Sequence, residues 1–140
     1  MKRVAVTGLG VISPVGNDVH TFWTALCAGT CGIGPITKFD AADYPVKLAA
    51  EVREFDPKQY MEKLDILHSD VYTHFAMAAA CQAVADSGIA GTLDPERVGV
   101  YIGSGIGGIT TFMAEHSKLL NRGPRRVSPY FIPMMIPNMA

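Results

Sequence analysis

The chain has 140 residues and a formal net charge of −1, with 49% hydrophobic and 18% charged residues. A chain of this length can bury a core. A charged share below the roughly 25% of ordinary soluble domains argues against disorder and for a surface that wants covering. The near-neutral balance gives no electrostatic reason to expect a nucleic acid or an acidic membrane as partner, and no apolar run reaches the roughly 18–20 residues of a membrane span. A cytoplasmic location is therefore expected.

The first segment, RVAVTG (residues 3–8), is a β-branched run ending in glycine and predicts a buried strand. Its basic start and apolar continuation imitate a signal peptide, but Gly8, Gly10 and Pro14 interrupt the apolar stretch and no A-x-A site follows. Asn17 is placed to cap a helix bearing Val19, Phe22, Trp23 and Leu26 at helical spacing, with Gly29 at its stop. Residues 29–45 are dense in Gly, Pro and Asp and predict a loop. VKLAAEV (46–52) predicts a second strand, and Asp56-Pro57 opens a helix over FDPKQYMEKL.

The clearest helix is SDVYTHFAMAAACQAVADSG (69–88), with Ser69 as cap, alanines through its length and Gly88 at its end. After a turn at Asp94-Pro95-Glu96, RVGVYIGSG (97–105) predicts a third strand, of the apolar kind found in parallel sheets. A last helix, GITTFMAEHSKLLNRG, stops at Gly123-Pro124. Strands alternating with helices define an α/β class with a mostly parallel sheet. Three strands fall short of the about 4–6 of a usual sheet. The chain then closes on RRVSPYFIPMMIPNMA (125–140), whose Phe131, Ile132, Met134, Met135, Ile136 and Met139 are out of place at the edge of a finished domain. The expectation is one incomplete domain spanning residues 1–140.

GSGIGG (103–108) is the strongest local motif. Gly103, Gly105 and Gly108 fit G-x-G-x-x-G between a strand and a helix, where backbone N–H groups can meet a phosphate. The acidic residue that a dinucleotide fold needs about 20 positions on is missing: Ser128 stands there, and Glu115, the only acid between, is mid-helix. A turn of close approach is the stronger reading. Cys27, Cys31 and Cys81 match neither zinc nor redox spacing and are expected as free, partly buried thiols. His20, His68, His74 and His116 form no ligand constellation. Lys118, Arg122, Arg125 and Arg126 make a basic cluster that is either a solvated run or a receiver for an acidic partner. No nucleophile elbow, carboxylate pair or cofactor site is evident.

Four stretches carry a resemblance in order and spacing: VAVTGLGVISPVGN, FWTALCAGTCGIGPITKFD, ERVGVYIGSGIGGI and GPRRVSPYFIPMMIPNMA. Together they resemble the N-terminal part of the β-ketoacyl-[acyl-carrier-protein] synthases, most of all the type II enzymes of fatty-acid elongation. The resemblance implies a thiolase-like α/β fold, of which this would be an incomplete N-terminal half with helices on a mixed sheet. It implies a homodimer that condenses an acyl thioester with malonyl-carrier protein through a cysteine, two histidines and a lysine, all lying beyond the matched stretches, so no catalytic residue is expected here. Cys81, followed by Gln82-Ala83, does not fit the nucleophile's motif, and neither do Cys27 and Cys31. Ile106 matches the residue gating the acyl pocket, and Phe131 an aromatic lining that pocket across the dimer. Relatives also carry a basic R-R-M-D-R-F-like run for docking the acyl carrier protein. Here it reads LHSDVY (67–72), where only Asp70 keeps the pattern and Leu67, His68 and Val71 replace basic positions, which weakens the expectation of electrostatic docking. The alternative expectations are a non-catalytic ketosynthase-like partner-binding fragment and, less favoured, a dinucleotide-binding domain.

Overall fold

The computed structural model describes residues 3–136. Met139 and the rest of the last four residues lie outside them. Five helices carry the architecture: α1 (Val19–Cys27), α2 (Lys63–Leu67), α3 (Val71–Ser87), α4 (Ile109–Arg122) and α5 (Phe131–Met135). Short 3₁₀ turns lie at Pro57–Gln59, Pro95–Arg97 and Pro124–Arg126. The described residues hold a single two-stranded sheet, in which β1 (Ile33–Pro35) pairs antiparallel with β2 (Leu48–Ala50) in the register Ile33↔Ala50, Gly34↔Ala49 and Pro35↔Leu48.

The helix signals hold, with shifted ends. The cap of α1 is Asp18 rather than Asn17, because the Asp18 carboxylate reaches the third helical residue and accepts the Thr21 N–H at 2.8 Å. Asn17 turns away, its Nδ2 donating to the Arg53 carbonyl at 2.8 Å. Asp56 caps as expected but heads only a 3₁₀ turn, after which α2 starts afresh at Lys63. At the head of α3 the cap position falls on Asp70 instead of Ser69, and Gly88 ends the helix in the left-handed region at φ 64°.

The strand signals fare differently. Residues 46–52 contain β2, and its partner β1 lies inside the stretch expected to be loop. Residues 3–8 and 97–105 form no paired strand among the described residues, so the expected parallel sheet is not assembled there. A β-branched run becomes a strand only when a neighbour offers its backbone, and near residue 9 that neighbour is a helix. Val11 N–H donates to Gln82 Oε1 at 3.0 Å and Leu9 N–H to Asp86 Oδ2 at 2.9 Å, both on α3. The approach is close enough to require glycine: a Cβ on Gly10 would stand 1.9 Å from the Ala79 carbonyl oxygen.

The alanine-rich α3 is thus the central element, and Ala78, fully buried, is the only hydrophobic residue among those described that is completely withdrawn from solvent. The accessible surface is 10780 Å². A self-contained folded protein of this mass exposes about 7,000 Å², so the chain shows roughly half as much again. Val4 (94% exposed) and Tyr101 (98%) belong to the two unpaired segments. Apolar exposure on this scale exceeds that of an ordinary self-contained domain.

Candidate functional site at the junction of α3, α4 and α5

Where apolar burial is scarce, the chain concentrates buried polar groups. Asp70, Thr73, His74, Thr111 and Glu115 are all buried, and such groups persist out of water only when hydrogen-bonded. Three of the bonds made here close a triangle. At the head of α3, Asp70 Oδ2 accepts the Thr111 N–H of α4's first turn at 2.7 Å. The Gly108 N–H, just ahead of α4, donates to the Met135 carbonyl at 2.9 Å. The Tyr72 hydroxyl donates to the Ile136 carbonyl at 2.7 Å. A fourth contact runs from LHSDVY to the residue before α5: His68 and Tyr130 stack with ring centroids 3.8 Å apart.

GSGIGG enters this junction from one side. Gly107, at φ 78°, donates its N–H to Ser104 Oγ at 2.9 Å and folds the loop back on itself. Gly108 is the true close approach: a Cβ there would lie 2.1 Å from the Met134 carbonyl oxygen, whereas Gly103 and Gly105 have open space around them. Ile106 is 70% exposed immediately before this anchored turn. Phe131 is half-buried and packs on Phe112 of α4 at 6.2 Å between centroids. The two expected pocket residues are therefore joined through α4.

Glu115 fixes the far side. Its carboxylate binds the Lys118 ammonium and accepts the Ser128 N–H at 2.7 Å, so it ties α4 to the segment leading into α5. The Lys118 ammonium, and after it the Ser128 N–H, hold this carboxyl below the usual glutamate range. The pairing also removes Lys118 from the basic cluster, leaving Arg122, Arg125 and Arg126 exposed.

The remaining candidates stay apart. The three cysteines are free and exposed rather than partly buried, because the faces of α1 and α3 that carry Cys27 and Cys81 have no cover among the described residues. Cys81 lies in the interior of α3, away from its N-terminus. His68 ends α2 while His74 is in α3, its Nε2 near Ser69 Oγ (3.1 Å) and the Ile66 carbonyl (3.3 Å). No metal-sized group of three His, Cys, Asp or Glu residues occurs among the described residues, and none of their helices is long and apolar enough to cross a membrane. Sequence reasoning noted Asp70 and Glu115 but gave them no anchoring role. In the case of Asp70 the available signal was an acid at a helix head with no Lys or Arg one helical turn away.

The fold of the chain is similar to that of solved ketosynthases. Over 99% of its length the chain superposes with TM-score 0.80 and 26% identity on 36% of a chain from a type II polyketide acyl-carrier protein in complex with its ketosynthase bound to the hexaketide. A second match, the ishigamide ketosynthase/chain length factor, gives TM-score 0.76 at 28% identity over 94% of this chain and 33% of that one. The fold is thus thiolase-like. The model of the β-ketoacyl synthase N-terminal domain matches residues 1–140, and the chain belongs to that family. Among curated relatives, 3-oxoacyl-[acyl-carrier-protein] synthase 2 of Coxiella burnetii is 50% identical over 99% of this chain, and its namesake in Staphylococcus aureus strain COL is 45% identical over the same share. The chain spans about a third of their length, 34% in both cases.

Proposed function

We propose that this chain is the N-terminal part of a 3-oxoacyl-[acyl-carrier-protein] synthase of the second type, acting in fatty-acid chain elongation. The reaction takes an acyl group from a carrier-protein thioester onto a cysteine thiolate, releasing the carrier thiol, decarboxylates malonyl-carrier protein to carbon dioxide, and joins the resulting carbanion to the acyl carbonyl with expulsion of the cysteine thiolate, giving a 3-oxoacyl-carrier-protein chain two carbons longer. The observation that carries the reading is likeness to such synthases along the whole length of the chain rather than at one motif. The nucleophile, the histidines and the lysine belong to the other two thirds of such a protein. Residues 1–140 contribute Ile106 as the gate of the acyl pocket and Phe131 as an aromatic of that pocket across a homodimer. An apolar side chain on a glycine-flanked turn suits an alkyl substrate. The uncovered faces of α3 and the unpaired segments 3–8 and 97–105 are supported as surfaces that the rest of the synthase covers. The acyl carrier protein is the proposed partner, with LHSDVY offering it little positive charge.

The test is a condensation assay on the protein purified from its own cells, with acyl-carrier-protein thioesters and labelled malonyl-carrier protein. The expected product is the 3-oxoacyl thioester two carbons longer. Labelled malonyl consumed without such a product, or no reaction with any primer, overturns the reading.

A further inference from the structure

We propose that Asp70 is a positioning residue that sets the acyl gate, a role that rests on Ile106 being that gate. Asp70 is buried, only 5% exposed, and the one salt bridge among the described residues, Lys118–Glu115, does not involve it. A carboxyl group kept out of water in this way must be held by hydrogen bonds. The donor Asp70 has is a backbone one, the Thr111 N–H at 2.7 Å in the first turn of α4, where orphan N–H groups and the helix dipole favour an anion. That turn begins three residues after Ile106.

The loop bearing Ile106 has few other restraints. Ser104 Oγ holds Gly107 from within the loop, and the Met135 carbonyl holds Gly108. Gly103 and Gly105 have open space around them and offer no packing. The start of α4 is therefore located by Asp70 on one side and α5 on the other. Asp70 lies within the LHSDVY run, whose His68 stacks on Tyr130 and whose Tyr72 bonds Ile136. Any displacement of that run is passed through Asp70 to the turn that aims Ile106. Truncating Asp70 releases the turn without touching substrate, so its effect falls on which acyl chains are accepted.

The experiment uses the complete synthase as wild type, D70A and D70N, assayed with hexanoyl- and tetradecanoyl-carrier-protein thioesters. Carrier docking is common to both primers and cancels in the ratio of their kcat/KM values. D70A is expected to change that ratio by roughly tenfold, within the range an ångström-scale misplacement produces. D70N keeps an acceptor oxygen and is expected to return the ratio to within about twofold of wild type. Amide exchange on the same preparations is expected to be about tenfold or more faster at Gly107–Thr111 in D70A, from loss of a charge-assisted bond. D70S, too short to reach Thr111, replaces D70A if the alanine variant aggregates, and is judged identically. A D70A ratio like that of wild type, an equal loss with both primers, or unchanged exchange overturns the role of Asp70. A wild-type protein that condenses neither primer sinks the parent reading instead, and the exchange measurement then still decides whether Asp70 anchors the turn.

Discussion

The α3–α4–α5 junction and the pair of segments at 3–8 and 97–105 both carry apolar sequence, yet only the first is fixed by partners among the described residues. At the junction the polar anchors are hydrogen bonds between groups the chain itself supplies: Asp70 to Thr111, Gly108 to Met135, Tyr72 to Ile136 and Glu115 to Ser128. In the two segments the side chains are strand-forming, and Val6 and Val100 are 79% and 78% exposed. Helices satisfy their own backbones, so a polar side chain is enough to fix one helix against another. A strand needs another strand, and an apolar face needs a second layer.

The contrast can be broken most sharply at Val100. Its exposure here marks it as harmless to change. If the remainder of the synthase covers it, V100D in the full-length protein places an unpaired charge in a core and should cost more than about 3 kcal/mol. Chemical denaturation would measure it, and a loss under about 0.5 kcal/mol would mean the segment stays in water. Next comes Gly108. G108A puts a Cβ 2.1 Å from the Met134 carbonyl, and such overpacking should cost about 1–3 kcal/mol in denaturant unfolding of the full-length protein. Q82L removes the acceptor of the Val11 N–H and the donor to the Asn17 carbonyl, leaving both groups unsatisfied at about 1–3 kcal/mol by the same measurement.

The smallest effect is a pH dependence. Glu115 has its pKa lowered in the folded chain, so its contribution is fully present above the ordinary glutamate value and is lost as pH falls through the lowered folded value. Acidification below that range should speed amide exchange at Ser128 in wild type. In E115Q, which has no charge to lose there, exchange at Ser128 should already be faster at neutral pH and should show no such acid step beyond the intrinsic pH dependence of exchange.

These contrasts follow what the sequence made legible. Helix stops at Gly29, Gly88 and Gly123 were readable because one residue's backbone freedom decides them. The close-approach reading of GSGIGG was correct at Gly108, where Met134 presses in. Caps at Asn17 and Ser69 were each one residue early because two neighbouring polar side chains competed and only geometry chose between them. The strand β1 was hidden in a Gly-Pro stretch, since its identity comes from pairing with Leu48–Ala50 rather than from propensity. Asp70 and Glu115 were visible as acids, but their work is done on backbone amides 41 and 13 residues away, and no local pattern reports such a distance.

The intact mass of the native protein, captured from its own cells with an antibody raised against residues 1–140, tests the account most directly. A synthase read through its N-terminal part must weigh far more than 15.0 kDa, close to three times as much if it matches relatives of which the chain covers 34%. A native mass of 15.0 kDa would contradict the account and leave a ketosynthase-like module without the chemistry of its family.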